Sequence, residues 1–285
     1  MKKIYVSDHV INSDVDNMRS QFINSLQEHD FELQKTASAD TDIAFCLGGD
    51  GALLAGIRKL KEKRFQIPIC GIHCSKGLGF LHSLSFPREE ENYQSWLKEL
   101  AQCLKNNHHH IEKRWGLQAV KNKELQSSEH WALNDLVFSK GTLSRMIRLS
   151  LKVNDSTVFN NFRGDGMIAA SATGSTAYSL AAGGPVIEPE LECLVLTPIN
   201  PHEIAQRPLV LNLKSKISIQ VLEGEAYLTE DGQSGHPLQP GDEVEITKAD
   251  HAIQWFHPEN PKLGSKDYYN LLRTKLGFGG KLNAP

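Results

Sequence analysis

From about residue 110 to about residue 250, apolar and polar side chains alternate, and this constrains the fold more than any other feature of the chain. RMIRLSLKV, KISIQVLE and DEVEITKA place apolar residues at every second position, the period of a strand with one buried face, and STVFNNFRG adds a β-branched and aromatic run. Short polar turns separate these runs, so the sequence predicts an all-β domain of many short strands, sandwich-like in architecture. The first third reads differently. Lys3 to Val6 is a short apolar run, and Val15 to Glu28 has helical spacing with Met18, Phe22, Ile23 and Leu26 on one face. Asp42 to Leu47 reads as a buried strand, Ala52 to Lys63 as a helix and Phe65 to Ile72 as another strand. Pro87 suits the first turn of a helix running through Leu104. Such alternation predicts a parallel sheet covered by helices. The end, SKDYYNLLRTKLGF, returns to helical spacing through Tyr268, Leu271, Leu272 and Leu276. The expected division is an α/β domain at 1–110, joined by the tail at 266–285, and an all-β domain at 111–265.

Composition narrows the partners. A net charge of −3 over 285 residues argues against a protein that coats nucleic acid. MKKIYVSDHV carries no long apolar stretch, so no signal peptide is expected, and no run of apolar residues is long enough to span a membrane. The five cysteines lack the spacing of a disulfide framework, and Cys46 and Cys70 read as small core residues. The expected address is the cytoplasm. Cys70, His73 and Cys74 have no second ligand pair at zinc-site spacing, so no residue is assigned as a metal ligand. His108, His109 and His110 cannot all face one ion from a single strand and read as a surface turn. Lys59 to Arg64 reads as the solvated end of a helix.

Two glycine-rich constellations carry the chemistry. Gly48-Gly49-Asp50-Gly51 lies between an apolar strand and a helix, where glycines let backbone amides approach a phosphate. A carboxylate there repels phosphate, so Asp50 binds a hydroxyl, holds a cation or takes a proton, unless it simply caps the helix in a tight turn. Neither a Walker A loop nor G-x-G-x-x-G is present. The second runs from Phe162 through Arg163-Gly164-Asp165-Gly166 to Thr173-Gly174-Ser175-Thr176-Ala177-Tyr178-Ser179, a strand followed by a short helix whose start offers amide and hydroxyl donors.

These passages resemble the NAD kinase family, whose signature is a glycine- and threonine-rich T-P-T-G-S-T-A-Y-S preceded by R-x-D-G. Asn134-Asp135 is similar to the family's N-E pair, and Leu196-Thr197-Pro198-Ile199-Asn200-Pro201-His202 to its L-T-P-I-x-P-H segment. Asp231-Gly232-Gln233 and Gly77-Leu78-Gly79-Phe80 also match, in the family's order. The resemblance implies a Rossmann-like N-terminal domain, a β-sandwich-like C-terminal domain and a helical tail returning to the first. It implies phosphoryl transfer from ATP, or from polyphosphate, to the 2′-hydroxyl of the adenosine ribose of NAD, with Mg²⁺ as the divalent cation. Asp50 would be the catalytic residue, facing the acceptor hydroxyl as proton acceptor or orienter. Gly48, Gly49 and Gly51 would serve the donor phosphates. The NAD-binding set would be Asp50, Gly51, Phe80, Asn134, Asp135, Arg163, Asp165, Thr173, Thr176, Ala177, Tyr178 and His202. A neighbouring subunit contributes to the site in this family, so a homo-oligomer, dimer or tetramer, is implied, with neither nucleic acid nor membrane as partner.

The chain departs from the pattern at Ala52, where the family has threonine, and at Asp135, shorter than glutamate by one methylene. Ser171-Ala172 stands for Thr-Pro, and GIHCSKGLGF is one residue longer than usual. Two alternatives stay open on sequence: a lipid kinase of the wider GGDG superfamily, and a catalytically silent NAD(P) sensor.

Overall fold

The computed structural model describes residues 1–7, 13–62, 66–74, 79–87, 89–122, 130–141, 145–263 and 268–277. In chain order the first elements are β1 (Lys3–Val6), α1 (Ser13–Glu28), β2 (Glu32–Gln34), β3 (Ile43–Gly48), α2 (Asp50–Glu62), β4 (Ile69–His73), β5 (Leu84–Ser85), α3 (Tyr93–Lys105) and β6 (His109–Arg114). Then come β7 (Leu117–Lys121), β8 (His130–Ala132), β9 (Asp135–Lys140), β10 (Ile147–Val153), β11 (Ser156–Gly164), β12 (Gly166–Ser171) and the one-turn α4 (Tyr178–Ala181). The last are β13 (Cys193–Ile199), β14 (Leu209–Asn212), β15 (Ile217–Glu223), β16 (Ala226–Glu230), β17 (Ser234–Leu238), β18 (Glu243–Lys248), β19 (Ile253–Pro258) and α5 (Tyr268–Leu276). The chain divides into two compact units, Met1–Lys113 with Ile253–Pro285, and Arg114–Ala252.

The first unit is built on a sheet in the order β2-β1-β3-β4-β19-β6, with β5 branching from β4. β1, β2, β3, β4 and β5 pair in parallel. β3 and β4 are buried at every position, which is why IAFCLG and ICGIH read as continuous apolar runs rather than alternating ones. Phe22 of α1 meets Phe45 of β3 edge to face at 5.0 Å. α3 adds Trp96, Leu97, Leu100 and Leu104 to the same core. Burial pushes the Cys46 thiol up to about 12, as befits an inert core residue. The strand order turns at β1, whose neighbours are β2 on one side and β3 on the other, and in open α/β sheets ligands gather beyond the carboxyl ends at such a reversal. Gly48 and Asp50 lie at the carboxyl end of β3.

The second unit is a sandwich of two six-stranded sheets, β11-β10-β15-β18-β7-β8 and β14-β13-β12-β9-β16-β17. Leu149, Ile219 and Ile246 of the first sheet share one core with Phe138, Met167, Leu196 and Leu228 of the second. β10 and β15 keep the predicted alternation because one face meets solvent. β12 is buried throughout: Ile168 and Ala170, on its other face, pack with Val137, Val195, Ala182 and Ile187.

Several expectations need correction. Ile253–Pro258, read as part of the β domain, pairs in parallel with β4 in the first unit, Trp255 opposite Ile69. The α3 helix starts at Tyr93, after a 3₁₀ turn at Glu90–Asn92, not at Pro87. Phe86 is pinned first: its amide donates to the His73 carbonyl at 2.9 Å and its ring meets Tyr93 and Trp96, so chain is used up before the helix can begin. His109 and His110 are not in a turn but open β6, stacked on Phe256 and His257 at 4.4 and 4.9 Å. Lys63, Arg64, Gly77 and Leu78 lie outside the described residues. No described helix is long and apolar enough to cross a membrane.

Candidate active site

In the first unit the site residues are set by the β3–α2 junction. Gly48 ends β3 at φ 141°, a region open to glycine, and a Cβ there would meet the Ala52 Cβ at 2.9 Å. The helix begins at Asp50 itself, two residues before the Ala52 start that its apolar spacing suggested. A carboxylate in that first turn complements the helix dipole. Ala52, at 2% exposure, supplies no hydroxyl. Around Gly51 the space a Cβ would occupy is open.

The Asp50 carboxylate is held from the segment that precedes β5. The Phe80 amide donates to Oδ2 at 3.1 Å, the Leu81 amide to Oδ1 at 3.0 Å, and His82 Nδ1 lies 3.0 Å from Oδ1. Burial raises the Asp50 pKa, but the His82 hydrogen bond and charge, with the Leu81 and Phe80 amides, outweigh it and leave the group below the ordinary aspartate value. Asp50 is therefore a carboxylate fixed in place and kept ionised.

In the second unit the organising group is Asp231, held at φ 50° between β16 and β17. Its Oδ1 accepts the Asn134 and Asp135 amides at 2.7 and 3.2 Å, and its Oδ2 the Leu133 amide at 3.0 Å. Three consecutive amides aimed at one carboxylate turn the chain sharply before β9 and aim Asn134 and Asp135. Ser171, at the end of β12, locks the other side: its hydroxyl donates to the Leu133 carbonyl at 2.6 Å and accepts from the Gly174 amide at 3.1 Å. Its own amide donates to the Asn134 carbonyl at 2.8 Å. The expected short helix is a 3₁₀ turn, Thr173–Thr176, followed by α4, because Ala177, at φ −94° and ψ −128°, leaves helical geometry between them.

Two buried polar atoms in this cluster, Asn134 Oδ1 and Thr173 Oγ1, have no hydrogen-bond partner among the described residues. Each such atom costs about 1–3 kcal/mol, a cost a bound ligand would remove. Beside them Tyr178 is 46% exposed. Asp135 is buried, and burial, then the Asp231 charge, raise its pKa to about 7 against a stabilising bond from the Tyr178 amide. Because the folded value lies above the unfolded one, folding takes up a proton between about pH 4 and pH 7. Stability from this group is full below pH 4 and lost as pH rises through 7. We expect Asp135→Asn to raise the melting temperature at pH 8 and the gain to shrink toward pH 4. Melting curves of both proteins across that range check this, and a gain that is flat in pH would contradict it.

Other anticipated residues stand apart. Asp165 lies at the opposite end of β12 from Ser171, roughly 20 Å away along an extended strand. It accepts from Asn200 Nδ2 at 3.0 Å and pairs with Lys140 at 2.8 Å, contacts that hold its carboxyl low. The His202 amide donates to the Arg163 carbonyl near this same end. Within one chain Asp165, Arg163 and His202 thus do not join Asn134, Asp135, Thr173 and Tyr178. Three residues were given no role on sequence: His82, Ser171 and Asp231. Asp231 carried a signal as the first residue of D-G-Q, and Ser171 as the residue in place of the family's threonine; His82 carried none.

Residues 133–257 match the family described as the ATP-NAD kinase C-terminal domain. The chain is 38% identical over 245 residues to an NAD kinase of Citrifermentans bemidjiense, covering 85% of this chain and 80% of that one. It is 39% identical over 241 residues to an NAD kinase of Marinomonas sp., covering 83% and 76%. Yeast NADH kinase, solved with NADH, superposes with a TM-score of 0.78 at 21% identity, covering 100% of this chain and 90% of that one. An NAD kinase from Archaeoglobus fulgidus, solved with ATP, gives 0.70 at 25% identity, covering 94% and 100%. With identity of this level over most of its length, the chain belongs to the NAD kinase family.

Proposed function

We propose that the chain transfers the γ-phosphoryl group of ATP to the 2′-hydroxyl of the adenosine ribose of NAD, releasing NADP and ADP. The observation that carries the reading is the pair of partnerless buried atoms, Asn134 Oδ1 and Thr173 Oγ1, beside Asp135. Acceptors of this kind fit the hydroxyl and amide donors of a dinucleotide. Thr176, Ala177 and Tyr178 would meet the adenine and the phosphates of NAD. Gly48, Gly49 and Gly51 receive the donor phosphates.

Asp50 acts on the acceptor hydroxyl. Its depressed pKa makes it a weak base, which favours orienting the hydroxyl and accepting its hydrogen bond as the O–P bond forms. The proton passes to Asp50 or to solvent as the bond to the leaving ADP breaks. Positioning of this kind, rather than covalent chemistry, dominates phosphoryl transfer. A cation of the Mg²⁺ class neutralises the donor phosphates when bound. The residues fit it: among the described residues Asp50 Oδ2 accepts one hydrogen bond, and its side chain is 32% exposed, leaving a lone pair for the ion or its water.

Asp165, Arg163 and His202 serve the site of a second copy of the chain, since they lie a strand's length from the residues they would complement. A homo-oligomer follows from that reading, and its proposed place of work is the cytoplasm. Purified protein with NAD, ATP and Mg²⁺ should form NADP in a coupled assay, with polyphosphate tried as an alternative donor. Measurable NAD binding without NADP from either donor would overturn the kinase reading and leave a silent sensor.

A further inference from the structure

We propose that His130, Glu230 and His236 form a binding site for one divalent transition-metal ion of the zinc class, separate from the residues assigned to NAD and ATP. The three come from three strands. His130 opens β8 at the edge of one sheet, Glu230 closes β16, and His236 lies in β17 opposite Leu228. On β16 the face that buries Ala226 and Leu228 also carries Glu230, so all three side chains converge on one edge of the sandwich interior.

The geometry is close to that of a ligand set. His130 Nδ1 lies 2.8 Å and His236 Nε2 3.1 Å from the same oxygen, Glu230 Oε1. One ligand atom from each residue lies within 4.8 Å of the others. The two imidazole rings stand 4.5 Å apart at 61°, leaving their nitrogens directed at a common point rather than stacked. An ion with bonds of about 2.0–2.2 Å needs only small side-chain shifts to be held by all three.

Donor chemistry selects the ion. Two imidazoles and one carboxylate suit Zn²⁺, Co²⁺ or Ni²⁺, whereas Mg²⁺ and Ca²⁺ favour oxygen ligands. Three protein ligands leave a fourth tetrahedral position for water. His130 and Glu230 are buried, at 4% and 5% exposure, while the His236 side chain is 40% exposed and gives the ion a way in. Glu230 is followed directly by Asp231, and a dication there relieves like charge along this end of β16. Bound, the ion ties β8 of one sheet to the β16–β17 hairpin of the other, next to the carboxylate that holds the Asn134–Asp135 turn.

The test uses the full chain without an affinity tag, stripped by chelator and desalted. Added Co²⁺ should give visible d–d absorption saturating at one ion per chain, and excess Zn²⁺ should raise the melting temperature by about 5 °C. His236→Ala, at a partly exposed position, and Glu230→Gln should each abolish both effects, with circular dichroism confirming that they fold. His110→Ala, in the other histidine-rich region, should leave both intact. Absence of cobalt absorption would overturn the proposal. So would saturation that survives both His236→Ala and Glu230→Gln, or a thiolate-to-cobalt charge-transfer band, which would place the ion on cysteine.

Discussion

Asp50→Asn lowers kcat for NADP formation by about 10⁴-fold or more, beyond the upper end of what a positioned proton acceptor alone contributes. The excess has a structural source. In the native chain both carboxylate oxygens accept from the Phe80 and Leu81 amides and from His82. An asparagine keeps one acceptor and turns the other toward its neighbour as a donor, setting N–H against N–H. The side chain must then swing, the segment at Phe80–His82 loses its anchor, and orientation fails along with charge. Circular dichroism should stay native-like, since the side chain is a third exposed and packs little apolar surface. A kcat within tenfold of the native value, in a folded variant, would remove Asp50 from the chemistry.

Gly174→Ala has the second largest effect, through packing. A Cβ at Gly174 would stand 1.9 Å from the Asn134 carbonyl oxygen, 2.4 Å from its carbon and 2.6 Å from its Cα. These are backbone atoms, and they cannot retreat easily. The Asn134 amide is held by Asp231 at 2.7 Å, and its carbonyl accepts the Ser171 amide at 2.8 Å. Either the Thr173–Thr176 turn lifts away or the Asn134–Asp135 turn breaks. We expect a loss of about 3 kcal/mol or more in urea unfolding, the range of severe overpacking. In the protein that remains folded, KM for NAD should rise about 100-fold while kcat changes less, because binding residues move and Asp50 does not. Unchanged urea midpoint and unchanged KM would show that the close approach is not needed.

The sequence showed most clearly what local pattern decides. The strand at Ile43–Gly48 and the helix after it were legible because an apolar run ending in glycines admits few other structures. The alternation in β10 and β15 likewise announced a sandwich. Partner choice was not legible. IQWFHP has the pattern of a strand in either unit, and only tertiary pairing sends it to β4. Among site residues, Asp50 and Thr173 were visible as polar residues in glycine-rich company, and Asn134 and Asp135 only through their resemblance to the family's N-E pair. Asp231 acts at a distance of almost a hundred residues, and Ser171 looks like one more small residue in GMIAAS. Neither periodicity nor spacing encodes such a carboxylate–amide contact. His130 and His236 are invisible for the same reason: separate strands bring them together through Glu230.

The position of β19 between β4 and β6 bears on how the protein is made. A ribosome delivers residues 1–113 first, yet the sheet they begin lacks the strand that joins β6 to β4 until Ile253–Pro258 emerges. At about 5–20 residues per second the wait lasts several seconds to half a minute. During it, β6 and the start of β4 at Ile69 wait for their partner strand while the second unit, contiguous in sequence, can complete itself. The order of maturation is therefore the reverse of the order of synthesis: the unit that carries Asp50 is started first and finished last.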